Sequence, residues 1–131
     1  MLKNVINYLK EAEVEYEIQE DDEAIGVQFN FRYVDLDVDL ACGFIQNKEQ
    51  EITNFYTEIA EFDKDTRGEA ILVCQLLNYD TVSLKFYLND DNVLIGECFI
   101  FDKDVCFDQI EQILGDLQAI QDTIEPYVIS E

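Results

Sequence analysis

The 131-residue chain is predicted to fold as an α+β domain. Three observations carry that reading. Apolar residues recur at helical spacing in three separate stretches, and runs between them alternate with the period of two that marks a strand. Clusters of Asp, Asn and Glu punctuate the runs where turns belong. The predicted order is α-β-β-β-α-β-β-α, with room for a fourth strand before the second helix.

Leu2, Val5, Ile6 and Leu9 set a first helix over roughly residues 2–12. In "EVEYEIQE" Val14, Tyr16 and Ile18 face one way and Glu13, Glu15 and Glu17 the other, a strand ending in the turn "DDE" at 21–23. Val27, Phe29 and Phe31 continue as strand. From Val34 onward the apolar residues become even-numbered, so a bulge or tight turn is expected at about 31–34. The stretch "VDLDVDL" at 34–40 then reads as a strand with Val34, Leu36, Val38 and Leu40 towards the helices and Asp35, Asp37 and Asp39 in water.

"QNKEQE" at 46–51 suits a hairpin loop. "ITNFYTEIAEF" fits both periods, and its β-branched and aromatic content favours a strand. Thr66 and Glu69 form a capping-box pattern ahead of a helix through Ala70, Ile71, Cys74 and Leu77, ending near Asn78. "VSLKFYL" and "VLIGECFIF" flank "NDDN" as a hairpin. Phe107, Ile110, Ile113, Leu114, Leu117, Ile120 and Ile124 trace one long amphipathic helix stopping at Pro126.

One domain over residues 1–131 is expected, large enough to bury a core without metal or disulfide. Hydrophobic content of 48% excludes a disordered chain. Eight Lys+Arg against 30 Asp+Glu give a net charge of −22, which argues against nucleic-acid backbones and anionic membranes and favours solubility or a basic partner protein. No secretory signal or transmembrane run is read, and Cys42, Cys74, Cys98 and Cys106 lack CxxC spacing, so free thiols in a reducing cytoplasm are expected.

The chain carries no strong catalytic signal. It has no His to serve as base for Ser83, Ser130 or a cysteine. Counted from Asp35 as a calcium loop, the places that need Gly and Glu hold Leu40 and Gln46. "NDDN" is a turn former by backbone preference alone. The aspartates near Cys106 oppose a thiolate there. The five glycines stand singly, so no phosphate loop is present. No catalytic residue, cofactor site or metal site is predicted. The feature left is an acidic face for a partner, made of Glu13, Glu15, Glu17, Asp35, Asp37 and Asp39.

The segment from Glu69 to Tyr127 resembles the YbjN family, carried by "AILVCQLLNYD", "LKFYLNDDN", "VLIGECFIF" and the terminal helix with Pro126. Where family members often carry Gly in the acidic turn, this chain has Asn92. The resemblance implies a type III secretion chaperone-like fold: an antiparallel sheet with helices on one face, often paired as a homodimer. It also implies a non-catalytic module that holds an extended segment of a client protein. The competing expectation is an acidic inhibitor or nucleic-acid mimic that blocks a basic site on a partner.

Overall fold

The computed structural model describes residues 2–101 and 104–128. Helix α1 (Lys3–Glu11) buries Val5 and Leu9 beside Leu2, and the chain leaves it through Glu13 at a positive φ of 58°. Strand β1 (Tyr16–Glu20) therefore starts later than the alternation of "EVEYEIQE" implies, because its first residues are spent on that turn. Strands β2 (Ala24–Tyr33) and β3 (Val38–Asn47) pair along their whole length, from Ala24 opposite Asn47 to Tyr33 opposite Val38.

The turn between them corrects the reading of "VDLDVDL". Val34–Leu36 is a 3-10 turn, and Asp37 closes it in the left-handed region at φ 54° with its N–H donating to the Val34 carbonyl at 3.3 Å. Only Val38 onward is strand. Val34, expected inside, is 78% exposed. The change of phase is real, but a hairpin turn three residues further on makes it: Tyr33 and Leu40 both lie buried, one on each side. Asp tolerates the left-handed backbone that ends the turn, which alternation of Val, Asp and Leu conceals.

The ambiguous run becomes strand β4 (Thr53–Glu61), reached through a loop in which the Asn47 side chain accepts the N–H groups of Glu49 and Gln50. Helix α2 (Arg67–Asp80) follows a 3-10 turn at Lys64–Thr66. Thr66 stands at the N-cap of α2 as expected but makes no side-chain cap bond there, because its hydroxyl is held in a reciprocal box with Asp63, the cap of the 3-10 turn. Glu69 instead accepts from the Tyr127 hydroxyl at 2.7 Å. Strands β5 (Lys85–Leu88) and β6 (Val93–Ile100) flank the "NDDN" turn, where Asn92 takes the left-handed backbone at φ 63°.

The expected long terminal helix is two, α3 (Phe107–Ala119) and α4 (Gln121–Val128), broken at Ile120. The break restarts the helix, so Pro126 falls inside α4 rather than at a stop. It also turns α4 towards α2 and β4, with the Tyr127 ring 5.2 Å from that of Phe62.

Four strands therefore precede α2, not three. All six form one antiparallel sheet in the order β1-β2-β3-β4-β6-β5. One face carries Val27, Phe29, Leu40, Phe44, Phe55 and Leu94 into the core with Leu77 of α2, Ile113 and Leu117 of α3, and Ile124 of α4. The Phe44 and Phe55 rings lie 4.9 Å apart at its centre. The inner face also holds the Tyr33 hydroxyl, which donates to the Leu117 carbonyl across sheet and helix. Among the described residues no helix is long and apolar enough to cross a membrane.

Candidate functional site

Helices cover one face of the sheet, and the side chains of the opposite phase define what a partner meets. The β-strand register orders them. Glu17, Gln28, Gly43, Tyr56 and Glu97 lie in one row across β1, β2, β3, β4 and β6. Asn30 and Ala41 pair in the next row, and Glu58 follows Tyr56 by two along β4, on the same face. Ile45 and Asn54 pair in the row on the other side, where Asn54 also meets Phe99.

Two hollows on this face result, with no lining residue in common. The larger, about 860 Å³, is bounded by Glu15, Glu17, Gln28 and Asn30 on one side and by Tyr56 and Glu58 on the other. Its floor is low because β3 supplies Ala41 there. The Tyr56 ring lies across Gly43, where any added Cβ would stand 2.9 Å from its Cε1 atom. The second, about 500 Å³, is apolar and is lined by Ala24, Ile45, Ile52, Phe99 and Phe101 around Asn54. Phe99 is 53% and Phe101 76% exposed, which is unusual for Phe in a chain with so many charged residues to spend on its surface.

Hydrogen bonds and charge tie the rows together. Asn54 donates its side-chain N–H to Glu97 at 3.1 Å. Burial, then the neighbouring Glu97 carboxylate, holds the Tyr87 hydroxyl above its ordinary range, so it stays protonated. Arg32 bonds to Asp39 at 3.1 Å and to Asp37, and those carboxylates raise its affinity for its proton. Lys48 pairs with Glu20 at 2.5 Å. Neither cation serves Glu15, Glu17 or Glu58, which have no ion-pair partner among the described residues.

The six acids of the predicted face therefore divide. Glu15 and Glu17 bound the larger hollow. Asp37 and Asp39 flank Arg32 at the β2–β3 hairpin, while Asp35 lies in its 3-10 turn and Glu13 in the turn before β1. Asp35 and Asp37 do not share a strand face with Asp39, contrary to the sequence reading, because the strand begins at Val38. Ala41, Gly43, Ile45, Tyr56, Glu58, Phe99 and Phe101 were not singled out by sequence. The signal was present in "VLIGECFIF", which is apolar in both phases: Leu94 and Ile100 go inward, leaving Ile95, Phe99 and Phe101 outward.

Four free thiols are present among the described residues, Cys98 half-buried and Cys106 exposed. Cys42 and Cys74 are buried free thiols, and burial pushes the Cys42 thiol up to about 11. Among the described residues no three His, Cys, Asp or Glu side chains converge as a metal-binding set. Comparison with family models and with curated proteins finds no match for the chain.

Proposed function

We propose that this protein is a non-catalytic protein-binding module that holds a segment of a partner on the uncovered face of its sheet. One observation carries the reading: Ile45, Phe99 and Phe101 form an exposed apolar patch on that face, which also holds a hollow rimmed by carboxylates. An apolar patch with a polar border is the usual make-up of a protein contact, since burying it against a partner removes apolar area from water. The resemblance of Glu69–Tyr127 to the YbjN family supports the chaperone-like form of this reading. The mimic reading draws no support from the geometry, because two of the six acids are engaged by Arg32.

The test is a photo-cross-linking amino acid at Ile45, with one at Gln118 on the outside of α3 as control, in cells of the native host. The expected result is an adduct with a defined protein from position 45 that position 118 does not give. Equal labelling from both positions, or none from position 45, would overturn the proposal.

A further inference from the structure

The two hollows lie on one face of the sheet, one over Ala41 and the other over Ile45 of β3. Ala41, Gly43 and Ile45 are successive outward residues of β3, so the centre of the acidic hollow lies about 13 Å from the apolar patch along one strand. Carboxylates alone would say little in a chain of net charge −22. Their placement beside a depression does: Glu15, Glu17 and Glu58 rim a space floored by Ala41, with the Tyr56 ring at its side.

From that arrangement we propose that the partner segment is basic and apolar at once. A Lys or Arg side chain enters the acidic hollow, and a large apolar side chain sits on Phe99 and Phe101. In an extended segment, about 13 Å corresponds to a separation of about four residues. Charge complementarity selects the cation, since the hollow's three glutamates lack an ion-pair partner within the described chain while Arg32 and Lys48 are already engaged. The Tyr56 ring adds a π-face within reach of a guanidinium or ammonium group. Asn30 and Gln28 offer side-chain carbonyls beside it. The same site gives the apolar anchor a pad at Ile45, Ile52 and Phe99, with no charged side chain on its lining.

This inference rests on the protein-binding reading and is tested so that the two fail separately. The probe is a phage-displayed library of random dodecapeptides, panned against the whole chain. Enriched peptides are expected to place Lys or Arg about four residues from Phe, Leu or Ile. Their affinity is expected to fall about ten-fold in the double variant Glu17→Gln, Glu58→Gln, and about as much in Phe99→Ser, Phe101→Ser. It is also expected to weaken with added salt. Exposed positions are changed in both variants, and unaltered melting verifies that each is folded. Enriched peptides without basic residues, sensitive only to the Phe99 and Phe101 changes, would overturn the basic-segment inference and leave the sheet-face reading standing. Peptides insensitive to both variants, or a library that yields none, would overturn both.

Discussion

Asp116 shows what a single side chain does here. It is buried on α3 and accepts the backbone N–H groups of Val82, Ser83 and Leu84 at 3.1, 2.7 and 2.9 Å. Those donors belong to the α2–β5 connection, so one carboxylate fastens the helical layer to the strand that follows. Asp116→Ala would leave one buried and two half-buried N–H donors without their acceptor, and a loss of about 3 kcal/mol is expected by urea titration. The position was detectable in sequence as an acid three residues after Ile113, inside the apolar stripe. What could not be read there was its set of partners, 32 to 34 residues away along the chain. Asp37 is the opposite case: local backbone decides it. At φ 54° a β-branched residue is strained, so Asp37→Val should cost about 1 kcal/mol, while Asp37→Gly should be close to neutral in the same titration. Cys42 sets an alkaline limit. Its thiol is pushed up to about 11 from an ordinary 9.0, so the folded chain keeps a proton that the unfolded chain releases. Stability from this group is complete below about pH 9 and declines through about 11. Denaturation followed over that range is expected to show the decline, and Cys42→Ala to lessen it, because burial also raises the Cys74 and Cys98 thiols.

At the level of elements, the two edges of the sheet are treated differently. On β5 the Asn78 side chain of α2 takes the place of a further strand, accepting the Phe86 N–H at 2.7 Å and donating to the Phe86 carbonyl at 3.0 Å. On β1 the edge is open but carries Glu17 and Glu20, which repel a second copy of themselves. We propose that the homodimer which the family resemblance implies pairs through α2, whose Leu72, Leu76 and Tyr79 form an exposed stripe, Tyr79 at 90% exposure. Residues 70–79 hold no charged side chain, which lets two strongly acidic chains approach there. Light scattering is expected to give twice the 15.3 kDa chain mass and to give the monomer for Leu72→Glu, Leu76→Glu. A monomer before substitution removes the dimer from the account. Legibility in sequence follows the same division. Strands and helices with one buried phase, such as β2 and α1, were readable because burial imposes a single period. The 34–37 turn was not, because its residues kept the alternation of a strand while the backbone coiled. Nor was the break at Ile120, where a buried residue continues the helical spacing across the interruption.

Over the whole molecule, a six-stranded sheet spends one face on four helices and leaves the other without cover. That asymmetry is the physical basis of the functional reading, since the uncovered face collects acidic and apolar side chains in two hollows. The seat of the Tyr56 ring at the side of the larger hollow depends on a small residue: Gly43→Ala would place a Cβ against that ring, and is expected to weaken partner binding several-fold by displacing it while leaving the chain folded. Isoleucine methyl groups report on the two faces separately, which makes them the most direct probe of where a partner sits. Ile45 and Ile52 line the apolar hollow, Ile71 is exposed on α2, and Ile110 and Ile113 lie in the core. A methyl NMR titration with the segment captured by cross-linking or panning is expected to shift Ile45 and Ile52 and leave Ile71 in place. Shifts at Ile71 with Ile45 and Ile52 unmoved would put the binding surface on the helices and contradict the account.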